Sequence, residues 1–148
     1  ARAEVHFIGK LQTNKVKPLL PYINAIHSVD SLKLAQKIDT EAESLGRVIP
    51  VYLQVNFTRE PQKSGFSPED LRANIKDICG LTSVSVAGLM CMGKVGEVEE
   101  TRSAFHRCRE TENEYSLEGC SIGMSADYPI ALAEGSTIVR IGRRIFGD

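Results

Sequence analysis

Apolar residues along this chain fall into six short runs separated by longer stretches with helical periodicity. The runs are residues 5–9, 25–29, 49–56, 84–92, 120–125 and 138–142. They are rich in Val and Ile and too short for full helices, so each predicts a strand. Between them, Leu32, Ala35, Ile38, Ala42 and Leu45 share one helical face, with Gly46 placed to end the helix. Ser67-Pro68-Glu69-Asp70 offers an N-cap serine, a proline at the first helical position and acids in the first turn. Leu71, Ile75 and Ile78 give that helix its apolar stripe, and Gly80 its end. Val98, Arg102, Phe105, Cys108 and Tyr115 mark a longer helix with a less regular face, and residues 127–134 a short one ahead of Gly135. Residues 14–20 give a weaker helical signal, interrupted by Pro18 and Pro21.

Strands alternating with helices predict a parallel sheet with helices packed outside it, either an open doubly wound sheet or a barrel. No G-x-G-x-x-G or Walker-type loop follows the first strand, which disfavours the nucleotide-binding open sheet. A closed eightfold barrel takes about 250 residues. Six strands in 148 residues therefore predict a partial (β/α) TIM-type barrel, forming one domain over residues 1–148. The chain opens at Ala1 without Met and reaches a predicted strand by Val5, so it reads as part of something larger.

Composition narrows the function classes. A net charge of -1 without a Lys/Arg-rich run argues against a nucleic-acid face. No apolar stretch approaches the roughly 20 residues of a membrane helix, and no secretory signal is evident, so a cytoplasmic setting is expected. Cys79, Cys91, Cys108 and Cys120 are widely spaced and form no C-x-x-C pair; they read as buried thiols rather than metal ligands.

In parallel α/β folds ligands sit at the carboxyl ends of strands, and two such ends stand out. Ser121-Ile122-Gly123-Met124-Ser125-Ala126-Asp127 joins a glycine and hydroxyls at a strand-to-helix junction, suited either to a phosphate or simply to a turn capped by Ser125 or Asp127. In residues 135–147, alternation sets Val139 and Ile141 on one face and Arg140 on the other. Arg140 then faces the barrel interior, where it needs an acceptor, or lies at the rim in an ordinary ion pair. Gly142 lets the backbone approach a ligand closely.

The runs His6-Phe7-Ile8-Gly9-Lys10, His27-Ser28-Val29-Asp30-Ser31, Leu53-Gln54-Val55-Asn56, Lys63-Ser64-Gly65-Phe66, Gly88-Leu89-Met90-Cys91-Met92-Gly93, Gly123-Met124-Ser125-Ala126-Asp127-Tyr128 and Gly135-Ser136-Thr137-Ile138-Val139-Arg140-Ile141-Gly142 resemble, in order, motifs of the pyridoxal phosphate homeostasis family. That family is related to the barrel domain of alanine racemase. The resemblance implies a pyridoxal 5′-phosphate carrier or buffer with little catalysis. The Gly123-Met124-Ser125 turn and the Gly142-Arg143 backbone would hold the phosphate, with Ser136 and Thr137 nearby. Arg140 would face the pyridine nitrogen, and Asn56 and Met90 would line the ring, with His6 and His27 as further candidates. In the family the covalent anchor lysine precedes the His6-Phe7-Ile8-Gly9 motif, so the resemblance implies a chain shortened by two strands and cofactor bound without a covalent link. Lys10 and Lys94 are the surrogate candidates. The alternatives are an alanine-racemase-like enzyme and an inactive fragment. Apo-enzymes needing the cofactor are the implied partners, and unpaired strand edges imply self-association.

Overall fold

The structure, a computed structural model, describes residues 2–147. Six strands form one all-parallel sheet in chain order: β1 (His6–Phe7), β2 (Ala25–Val29), β3 (Ile49–Gln54), β4 (Val84–Met90), β5 (Gly119–Met124) and β6 (Ile138–Arg140). The connecting helices are α1 (Thr13–Leu19), α2 (Leu32–Ser44), α3 (Pro68–Cys79), α4 (Val98–Glu114) and α5 (Tyr128–Ala133), with α6 (Arg143–Phe146) following β6. This is the alternation expected of a partial barrel.

Local chemistry sets the boundaries. Ser31 and Ser67 cap α2 and α3, accepting from the N–H groups of Leu34 and Asp70 at 3.1 and 3.0 Å. Pro18 lies inside α1 without breaking it, and Pro21 opens a short 3₁₀ turn, Leu20–Tyr22. Strands β1, β3, β4 and β6 are shorter than the apolar runs predict, because the run ends lie beyond the ladder; Asn56, Met92 and Gly142 are loop residues. The α6 turn has no counterpart among the predicted elements. Ile38, Ile75, Ile78 and Phe105 pack from the helices onto Val51, Leu53, Leu89 and Ile122 of the sheet. Cys91, Cys108 and Cys120 are buried with them, whereas Cys79, at the end of α3, is exposed.

The sheet is curled. In a flat sheet β2 and β5 would stand three strand spacings apart, about 14 Å. Instead His27 Nδ1 on β2 lies 2.8 Å from Ser121 Oγ on β5. Strand β6 is not paired with β1, so the curl stops short of closure and both remain edge strands.

Two glycines make that inner face possible. Gly88 and Gly119 are partners in the β4–β5 register, and a Cβ at Gly88 would fall 1.8 Å from the Gly119 carbonyl oxygen. A Cβ at Gly119 would meet the Tyr52 ring at 2.7 Å. The bare backbone receives Tyr52, whose ring stacks on His27 with centroids 4.3 Å apart. Burial, then the neighbouring His6 and the Arg140 cation, push the His27 imidazole down to about 4, so it is neutral inside the curl.

Two outcomes follow from this packing. Gly88→Ala lowers unfolding free energy by at least about 3 kcal/mol in urea titration, since backbone cannot yield. Gly80→Ala, at the end of α3 with its nearest contacts at 3.5 Å, stays within about 0.5 kcal/mol of the parent. An imidazole depressed in the folded state makes the unfolded chain bind more protons. Stability from His27 is therefore complete above the usual histidine value and is lost as pH falls from about 6.5 to about 4. A melting temperature that declines across that window, and a His27→Phe variant lacking this part of the decline, check the sign.

Candidate functional site

The carboxyl ends of β4, β5 and β6 open onto a cavity of about 560 Å³, within the ~300–1,000 Å³ of small-molecule sites. Lys63, Gly93, Lys94, Thr101, Met124, Ser125, Asp127, Arg140, Gly142 and Arg143 are among its walls. A second recess of about 380 Å³ lies between the two edge strands, bounded by His6, Ile8, His27 and residues 138–142. Met124, Arg140 and Gly142 belong to both.

Arg140 faces inward, as alternation along β6 predicts. Its Nη1 donates to the Ser121 carbonyl at 2.9 Å and to Ser121 Oγ at 2.6 Å, and its Nη2 donates to the Cys91 carbonyl at 3.4 Å. All three acceptors are neutral, and among the described residues no carboxylate forms an ion pair with it. Burial lowers its guanidinium below the ordinary value, opposed by nearby groups such as Cys91 and Asp127. A guanidinium nevertheless remains a cation. The rim ion pair left open by the sequence is thus not what forms.

At the rim, β5 turns sharply. Gly123 has φ of +103°, and a Cβ there would strike the Ala131 Cβ at 2.6 Å, so glycine is needed both for the turn and for seating α5. The Asp127 carboxylate closes this turn by accepting from the Met124 N–H at 2.8 Å. Ser125 Oγ accepts from the Gly142 and Arg144 N–H groups at 3.3 and 3.4 Å. Those lengths are at the weak end of hydrogen bonding, which leaves both N–H groups able to donate to a stronger acceptor. A Cβ at Gly142 would meet nothing within 4 Å, so the backbone there is open to approach.

Five of the ten residues suggested by the sequence therefore line the cavity together, Met124, Ser125, Arg140, Gly142 and Arg143, and Gly123 sits behind them in the turn. The other four do not. Ser136 Oγ bonds the Ile122 and Ile138 carbonyls at 2.8 Å, and Thr137 Oγ1 pairs with Cys120 N–H and carbonyl. Both precede β6, so they stitch the sheet at the amino end, across the length of a strand from the cavity. Asn56 is tied into its own loop by the Glu60 carbonyl at 2.8 Å and by Thr58. Met90 is buried in register with Ser121 and is not part of the cavity wall.

Three residues that sequence reasoning passed over or left open prove central: His27, Tyr52 and Ser121. A serine in a strand and a tyrosine among Val and Leu carry no local signal. Only the alternation that places Ser121 on the Arg140 side could have pointed to the first. Of the surrogate lysines, Lys10 pairs with Asp30 at 3.6 Å and does not line the cavity. Lys94 does line it but is bonded to Glu100 at 2.8 Å, which holds its ammonium above the usual value. Lys63 pairs with Glu60 at 2.6 Å.

Comparison with known proteins bears on the family and the fold. The family described as alanine racemase, N-terminal domain, matches residues 1–148. The pyridoxal phosphate homeostasis protein of Aquifex aeolicus is 40% identical, covering 98% of this chain and 67% of its own length. That of Pseudomonas aeruginosa is 39% identical, covering 96% and 63%. The chain thus spans about two thirds of these curated relatives. PipY of Synechococcus elongatus PCC7942, solved with PLP bound, superposes with a TM-score of 0.91 at 38% identity over 97% of this chain and 70% of PipY. Clostridium difficile alanine racemase shares the fold alone, with a TM-score of 0.80 at 18% identity over 100% of this chain and 40% of that one. By full-length family match and by relatives near 40% identity, the chain belongs to the alanine racemase N-terminal domain family, among the pyridoxal phosphate homeostasis proteins.

Proposed function

We propose that residues 1–148 act as one partial alanine-racemase-like barrel domain that binds pyridoxal 5′-phosphate reversibly and serves in its homeostasis, as carrier or buffer rather than strong catalyst. The observation carrying this reading is Arg140. Its Nε–H and one Nη2–H have no acceptor among the described residues, while three neutral acceptors hold the rest of the group. A half-buried cation in that state favours a ligand bringing an acceptor and negative charge. The under-satisfied N–H groups of Gly142 and Arg144 supply the matching anion site at the start of α6. Relatives named for pyridoxal phosphate homeostasis, and PipY with PLP bound, give the ligand its identity.

In this reading Ser125 Oγ and the Gly142–Arg144 backbone hold the phosphate, and the turn at Gly123 and Met124 shapes its seat. Arg140 meets the ring nitrogen. Because guanidinium keeps its proton, that nitrogen stays unprotonated and the ring remains a weak electron sink. When bound, the cofactor supplies a reactive aldehyde and an electron-accepting ring. Lys63 and Lys94, both paired with glutamates, serve as cations at the wall rather than as amine nucleophiles. A cytoplasmic setting, delivery to apo-enzymes that need the cofactor, and self-association through the edges of β1 and β6 complete the proposal. Among the described residues no helix is long and apolar enough to cross a membrane.

Calorimetric titration of the 148-residue chain with pyridoxal phosphate gives saturable binding, and Arg140→Ala weakens it about 10-fold or more. Lys15→Ala, on α1 away from the cavity, leaves it unchanged. Borohydride treatment of the mixture leaves no stoichiometric pyridoxyl adduct by mass spectrometry. Absence of saturation sinks the assignment, and a single modified lysine sinks the non-covalent mode.

A further inference from the structure

A continuous line of hydrogen bonds crosses the inside of the curl. Arg140 Nη1 lies 2.6 Å from Ser121 Oγ, Ser121 Oγ 2.8 Å from His27 Nδ1, His27 Nε2 2.9 Å from His6 Nδ1, and His6 Nε2 3.1 Å from Glu4 Oε2. Its ends fix its direction. Guanidinium can only donate, and an ionised carboxylate can only accept. With both imidazoles neutral, one proton assignment satisfies every link. Arg140 donates to Ser121, whose hydroxyl donates to His27 Nδ1; His27 Nε2–H donates to His6 Nδ1, and His6 Nε2–H donates to Glu4. The opposite assignment sets an imidazole lone pair against the Glu4 carboxylate and leaves the Ser121 hydroxyl hydrogen without an acceptor among the described residues.

We infer that Ser121 is the positioning residue for Arg140, and that His27 and His6 hold the Ser121 hydroxyl turned so that its lone pairs face the guanidinium. Ser121 receives both N–H groups of Nη1, one on its carbonyl and one on its hydroxyl. That clamps one edge of the planar group and leaves the Nε–H and an Nη2–H for the ligand ring. Tyr52, stacked on His27, fixes the imidazole plane from the other side. Links in such a chain polarise one another, so the hydroxyl accepts more strongly than an isolated serine. The inference rests on the pyridoxal phosphate reading for what Arg140 meets, but not for how Arg140 is held.

Nitrogen NMR at about pH 8, where an ordinary imidazole is neutral, tests the two parts separately. The expected His27 tautomer carries its proton on Nε2; a proton on Nδ1 overturns the assignment. Rotation of the Arg140 guanidinium about its Nε–Cζ bond is slow in the parent chain, faster in Ser121→Ala and slow again in Ser121→Thr. Ser121→Ala weakens pyridoxal phosphate about 10-fold while inorganic phosphate stays within about 2-fold. His27→Phe, which keeps the stacked ring and drops its nitrogens, weakens pyridoxal phosphate about 3-fold and also speeds guanidinium rotation. Unchanged rotation in Ser121→Ala and His27→Phe overturns the clamp, as does an equal loss of phosphate and pyridoxal phosphate. If the parent chain binds no pyridoxal phosphate, the functional reading fails, while tautomer and rotation still decide the clamp.

Discussion

A half-buried guanidinium held on neutral acceptors is the constraint from which the site follows. Arg140 enters the barrel interior because β6 alternates, with Val139 turned toward Gly123 and α5. There one edge of it is solvated by the protein, through the Ser121 hydroxyl and the Ser121 and Cys91 carbonyls. These hold the cation without neutralising it. The result is a directed positive charge beside a cavity whose rim already offers weakly engaged backbone N–H groups.

The fold is arranged to let that happen. Gly88 and Gly119 remove two side chains from the inner face of β4 and β5, and Tyr52 lies against the bare backbone. Tyr52 in turn supports His27, and His27 reaches Ser121 across the curl. A larger residue at Gly119 would push the tyrosine away, release the imidazole and loosen Ser121, and one at Gly88 would drive into the Gly119 backbone. Burial, His6 and the Arg140 cation together keep His27 uncharged. The packing of the sheet and the electrostatics of the site are therefore one problem, solved by two absent Cβ atoms.

The fold was legible because its signals are local. Val- and Ile-rich runs, the Ser67-Pro68 start and the glycine stops each act within a few residues, and β2 appears with its predicted limits. Where residues suggested by the sequence lie apart from the cavity, distance is the reason. Ser136 and Thr137 are neighbours of Arg140 in sequence, but they lie at the amino end of β6 and the cavity lies at its carboxyl end. Asn56 stands just past β3, where the loop to Phe66 folds back and captures its amide. The roles of Ser121 and Tyr52 were illegible for the converse reason. Their partners are 94 residues away in the Ser121–His27 bond and on another strand in the Tyr52–His27 stack. Only the curl of the sheet brings them together.

Energetics argue that this polar interior is not there for stability. An apolar filling of similar volume often matches or exceeds a buried charged network in stability, because desolvating a cation costs several kcal/mol. Tyr52, Ser121, His27 and Arg140 instead occupy the inner layer of a sheet whose outer face is almost wholly Val, Leu and Ile. Their arrangement satisfies one edge of the guanidinium and leaves the other edge toward the cavity. A group fixed in that way gains most from a ligand that carries its own acceptor and its own negative charge at the spacing of the rim. If that ligand is pyridoxal phosphate, the permanent proton on Arg140 secures the ring without activating it, the combination a cofactor carrier needs.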